Sequence, residues 1–150
     1  MRTIAALAAL SLSLLAAAAS AATIEVKNAY IPAPPPGAPT AVGYGVITNH
    51  GPTSDRLMDG HSGAAASVQL HQMSTTGGVM RMRPVAGGLP IGASASVKLS
   101  PDGYHLMLIG LKAPLRVGQH VRVVLRFQRS GNVTVDFPVR APAAAGGMHM

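Results

Sequence analysis

The sequence predicts an all-β domain, an antiparallel sandwich or barrel, on three observations. Short runs alternate apolar and polar residues with a period of two, the spacing of a half-buried strand. Gly, Pro, Asn and Asp break these runs every few residues, in a 150-residue chain with 17 Gly and 12 Pro. After the N-terminal segment, no apolar pattern sustains a helix of useful length.

The first element is a leader. Met1-Arg2 gives a positive start, Ile4 to Ala19 is an apolar run of mostly Ala and Leu, and Ala19-Ser20-Ala21 has the small-x-small pattern of a cleavage point. The run is shorter than the roughly 20 residues a spanning helix needs. Residues 1–22 are therefore read as a cleaved signal peptide rather than an anchor. The mature chain would begin near Ala22 or Thr23 and work in a bacterial periplasm, without stable membrane insertion. No cysteine follows the leader, so a lipidated N-terminus is not expected.

Residues 23–140 are read as one β domain. Its predicted strands are Ile24–Tyr30, Val42–Asn49, Ser67–Met73, Val79–Val85, Ser96–Leu99, His105–Leu111, Val121–Gln128 and Val133–Val139. Ala33 to Pro39 reads as a proline-rich extended loop. Pro101-Asp102-Gly103 predicts a turn before His105, and Ser130-Gly131-Asn132 a hairpin turn between the last two strands. In those strands Val121, Val123, Leu125 and Phe127 share one face, as do Val133, Val135, Phe137 and Val139. Residues 141–150, Ala, Pro and Gly ending in Met148-His149-Met150, are expected to be a flexible tail.

Composition narrows the chemistry. With no cysteine, the chain has no disulfide, no thiolate zinc site and no blue-copper centre. Only Asp55, Asp59, Asp102 and Asp136 lie outside the first strand as acidic residues, too few for a paired-carboxylate hydrolase or a calcium cage. Three Tyr, two Phe and no Trp leave little to stack on bases, so nucleic acid is not expected as a partner. The net charge of +7 comes largely from arginines spread over outer strand faces and reads as a solvated basic surface. No nucleophile–base arrangement or phosphate loop appears, so the chain is not read as an enzyme.

The 8 Met and 6 His are a different matter. His71-Gln72-Met73 and His105-Leu106-Met107 each place an imidazole and a thioether on one strand face. Val68 and Leu70, and Leu106 and Leu108, take the opposite face. Met80-Arg81-Met82-Arg83 alternates thioether with guanidinium, so its Met pair faces inward or lines a rim. Soft neutral thioethers with borderline imidazoles, and no carboxylate, favour Cu(I) over Zn(II), Fe(II) or Mg(II). The competing explanation is packing, since Met fills irregular cores. A metal-free β-sandwich would place His71 and His105 far apart. His50, His61 and His120 fall in turns or at strand starts and read as solvated.

The runs Leu70–Met73, Gly78–Val85 and Pro101–Leu111 together resemble the periplasmic copper chaperone family PCuAC. In this chain ten residues separate His71 from Met82, as in the family motif, and twenty-two separate Met82 from His105, one more than usual. The extra residue is assigned to the Ala86–Ala93 loop. Asp102 replaces a usual Gly. The resemblance also takes in Ala29–Pro32, Gly43–Asn49, Asp55-Arg56-Leu57 and the closing strand. It implies a cupredoxin-like Greek-key β-sandwich or barrel with one Cu(I) bound by His71, Met82, His105 and Met107. Met73 and Met80 would be auxiliary, and Met148, His149 and Met150 would help hold Cu(II). The implied recipient is the CuA subunit of cytochrome c oxidase, beside a Sco-type thiol protein. The alternative role is periplasmic copper sequestration and tolerance.

Overall fold

The computed structural model describes residues 23–142, so the predicted signal peptide and the Met148-His149-Met150 ending lie outside the described residues. Ten strands follow in order: β1 (Ile24–Pro32), β2 (Thr40–Asn49), β3 (Asp55–His61), β4 (Ala65–Thr76), β5 (Val79–Pro84), β6 (Leu89–Ile91), β7 (Ser96–Leu99), β8 (Tyr104–Leu111), β9 (His120–Phe127) and β10 (Gly131–Arg140). There is no helix among the described residues.

The strands close on themselves. β4 pairs with β8, β8 with β2, β2 with β1, β1 with β10, β10 with β9, β9 with β3, and β3 returns to β4 through Gly60 and Val68. β7 fills the splay between β2 and β8, pairing with both. The result is a closed eight-strand β-barrel of the cupredoxin-like type expected. β5 and β6 lie outside the ring, on β4 and β3. Closure removes the open edges an eight-strand sheet would otherwise expose.

The period of two explains the core. On β9 the apolar set Val121, Val123, Leu125 and Phe127 is buried, while Arg122 and Arg126 are exposed. On β10 Val135, Phe137 and Val139 are buried. All eight predicted strands form, most with ends moved by one to three residues. The last hairpin turns two residues earlier than expected. Gln128 to Ser130 make the turn, and Gly131 already pairs with Phe127 in β10. Gly131 has a φ of 74°, a left-handed conformation that glycine adopts without strain, so the chain re-enters the ladder there.

Two strands were not expected. β6 is three residues long and lies within Ala86–Ala93, where the sequence predicts a loop. β3 reads Asp-Arg-Leu-Met-Asp-Gly-His and has weak strand propensity. Its place is fixed by pairing with β9 on one side and with β6 and β4 on the other.

Asp55 anchors that placement. Its carboxylate, only 6% exposed, accepts hydrogen bonds from the backbone N–H of Arg56, Arg129 and Ser130 and from the Ser130 hydroxyl. These bonds pin β3 to the β9–β10 turn. Burial works to raise the Asp55 pKa, but the combined bonds from Ser130, Arg129 and Arg56 outweigh it, and the net shift is downward. Asp55→Ala leaves several partly buried donors unsatisfied and is expected to cost about 3 kcal/mol, measured by urea unfolding. Because the folded pKa lies below the unfolded one, this stabilisation is complete above the ordinary carboxylate range. It is lost as pH falls through the folded value. The Asp55→Ala protein should therefore show a shallower loss of stability in acid than the wild type.

Candidate metal centre

Three neighbouring strands, β5, β4 and β8, carry the His and Met residues singled out in the sequence. In register, His71 sits opposite His105, Met73 opposite Met82, and Gln69 opposite Met107. Opposite residues of an antiparallel pair share a face, and so do residues two apart on one strand. His71, Met73, Met80, Met82, His105 and Met107 thus occupy one face of this three-stranded segment. Val68, Leu70, Leu106 and Leu108 occupy the other face and belong to the core.

The six side chains are graded in depth. Met80 and Met82 are 58% and 45% exposed, and His71 and Met73 are half-buried. His105 and Met107 are only 2% and 8% exposed. The exposure of Met80 and Met82 decides between the two expectations for that pair: they line a rim. The burial of His105 and Met107 goes beyond what alternation foretold, since both faces of β8 are covered here.

The His71 and His105 rings lie 6.1 Å apart between centroids, tilted by 43°. The metal-free reading required these residues to be distant, and they are adjacent. His71 Nε2 lies 3.0 Å from Gln69 Oε1. An amide oxygen only accepts, so Nε2 donates and Nδ1 keeps its lone pair. That Nδ1 is buried and has no hydrogen-bond partner; neither nitrogen of His105 has one. Among the described residues these three atoms are the only buried side-chain nitrogens or oxygens left unpaired. Such a group costs about 1–3 kcal/mol when nothing satisfies it, and three on two adjoining rings call for a reason.

The electrostatics keep both rings neutral. Burial lowers the pKa of His71. Burial also lowers that of His105. The Gly103 backbone, close but outside hydrogen-bond geometry, pulls the other way, and His71 adds a further lowering. Lone pairs are therefore free at neutral pH. Among the described residues no three His, Cys, Asp or Glu side chains gather in a form that could hold a metal, so any ion between the imidazoles must draw on thioethers. Metal uptake here should be flat across neutral pH. It should fall only in acid, below the ordinary imidazole range, because a proton and a metal compete for the same lone pair. A Cu(I) titration repeated between pH 8 and pH 4 measures this.

The other histidines stay apart. His50 pairs with Glu25 and His120 with Asp136, each at 2.6 Å, and His61 is exposed. A cavity of about 660 Å³ lies between the Pro34–Pro39 loop and Leu111–Arg116. It sits at the far end of β8 from His105 and includes none of the six residues.

Barrel, register and paired imidazoles together define a domain of the PCuAC type. Solved structures with this fold include the copper-bound PCuAC domain of PmoF2, which is 26% identical, with a TM-score of 0.68 over 80% of this chain and 94% of that one. The Cu(I) form of DR1885 from Deinococcus radiodurans is 31% identical, with a TM-score of 0.64 over 85% of each chain. The family described as "Putative lipoprotein LpqE-like" matches residues 24–139, and the chain belongs to it. A relative, "Putative lipoprotein Lxx21020" of Leifsonia xyli subsp. xyli, is 36% identical over 78% of this chain and 69% of its own length.

Proposed function

We propose that the protein is an exported, non-enzymatic copper chaperone that binds one Cu(I) through His71, Met82, His105 and Met107. The observation that carries this reading is the set of three unpaired buried imidazole nitrogens on a face lined with thioethers. An ion about 2 Å from one nitrogen of each ring would separate the ring centres by about 6 Å, close to the spacing present. Met107 follows His105 on the same face, and Met82 lies diagonal to His71 across β4–β5. Copper bound in the relatives PmoF2 and DR1885 supports the choice of metal.

Delivery to the CuA subunit of cytochrome c oxidase is the role proposed. With no cysteine, this chain can carry copper but cannot reduce a recipient's disulfide, so a Sco-type thiol protein would supply the electrons. Export to the periplasm is supported by the leader pattern and by the lipoprotein descriptions of the family and the relative. The tail residues Met148, His149 and Met150 would add a Cu(II) contact.

The test is a Cu(I) titration of the purified protein against a competing chromogenic chelator, beside Met107→Ala. One-to-one binding, weakened by about 10- to 100-fold in the variant, is expected. A wild-type protein that fails to compete for Cu(I) rejects the reading. Gene deletion then separates the roles: lost oxidase activity indicates delivery, and copper sensitivity with normal oxidase indicates sequestration.

A further inference from the structure

We propose that Met73, Met80 and Met82 form a second, imidazole-free Cu(I) position, outside the His71–His105 pair, through which the ion enters and leaves. The inference rests on the copper reading above and adds a site to it.

Core packing does not explain these thioethers. Every residue of β5 is exposed, and the strand pairs only with β4, beyond the wall of the barrel. Of the four large hydrophobic side chains exposed among the described residues, Val79, Met80 and Met82 stand on this one short strand. Leaving two Met in water forgoes the burial that normally justifies them.

The register gathers them. Met73 and Met82 are directly opposite, a relation that puts Cβ atoms about 5 Å apart, and Met80 is the diagonal neighbour of Met73 at about 7–8 Å. Flexible thioether arms span those gaps easily. From Ala65 to Pro84 there is no acidic residue, so a hard divalent ion finds no carboxylate ligand there. Arg81 and Arg83 alternate onto the opposite face, away from the sulfurs.

Met82 belongs to both positions, which gives a route inward. The ion is held first by the sulfurs of Met80, Met73 and Met82. Bonds to the nitrogens of His71 and His105 and to Met107 then form as those to Met80 and Met73 break, with Met82 retained. Copper stays Cu(I) throughout, the rings are neutral, and neither electron nor proton moves.

The test uses methionine methyls labelled with ¹³C and Cu(I) as the probe. In His71→Ala/Met107→Leu, the methyls of Met73, Met80 and Met82 should shift together on adding Cu(I), and a further Met80→Leu should weaken that binding about 10-fold or more. In an otherwise wild-type background, which does not depend on how the double variant folds, Met80→Leu should slow Cu(I) uptake from the chelator about 10-fold. Unchanged uptake in Met80→Leu, with the Met82 and Met107 methyls still moving, overturns the second position and leaves the His71–His105 site standing. If no methyl moves in any protein, both fall.

Discussion

His105→Ala is expected to weaken Cu(I) binding by at least about 100-fold, or about 2.8 kcal/mol, with little cost to the copper-free fold. The two halves of this expectation have one cause. A histidine that served the core would be hydrogen-bonded, and removing it would strand its partner. Here neither ring nitrogen has a partner, so truncation leaves no donor or acceptor behind. What it leaves is a cavity, whose cost is offset by removal of two unsatisfied buried nitrogens. Calorimetry separates the terms. Cu(I) should raise the wild-type Tm, because a ligand that binds only the folded state stabilises it, and should raise the variant's Tm by less. A large loss of Tm in the copper-free variant would mean that His105 is structural after all. His71→Ala should lose less affinity, since its ring is half-buried and one nitrogen is already engaged by Gln69.

The sequence made the two histidines visible, but not their relation. Spacing placed His71 and His105 on outward faces of separate strands. It could not say that β4 and β8 are neighbours, or that the two residues stand in the same row, because register is a long-range property. Alternation likewise foretold the buried faces of β9 and β10, where one side meets the core and the other meets water. It failed on β8, where His105 and Met107 are buried on the face opposite Leu106 and Leu108. It failed on β3 too, whose polar sequence is held by neighbours and by Asp55 rather than by its own propensity. The one available signal was a carboxylate before an apolar Leu57, in a chain with few acids. The graded exposure from Met80 to His105 depends on β5 standing outside the barrel ring, which no local pattern encodes.

Phe137→Ala is expected to cost about 3–5 kcal/mol, a large part of the 5–15 kcal/mol that holds a domain together, and to lower the Tm by about 10–20 °C. Phe137 is 1% exposed and stands on β10, paired with Val121 of β9, so it joins the closing strands to the interior. Its ring reaches across the core to Gly43 on β2. A Cβ built at Gly43 would lie 3.3 Å from Phe137 Cε1 and 3.5 Å from the Cβ of Leu106. Glycine at 43 is therefore the space the ring occupies, and Gly43→Ala should cost about 1–3 kcal/mol through overpacking. Gly43 pairs with Leu106, so the ring packs directly beneath the strand that carries His105 and Met107. Global stability and site geometry then respond differently. While the Phe137→Ala protein remains folded below its lowered Tm, the β4–β8 hydrogen bonds still hold His71 opposite His105, and Cu(I) affinity should change far less than in His105→Ala. If affinity fell as steeply as in His105→Ala, the site would depend on the packing under β8 rather than on the ladder. The two imidazoles would then be poised by the core and not by register alone.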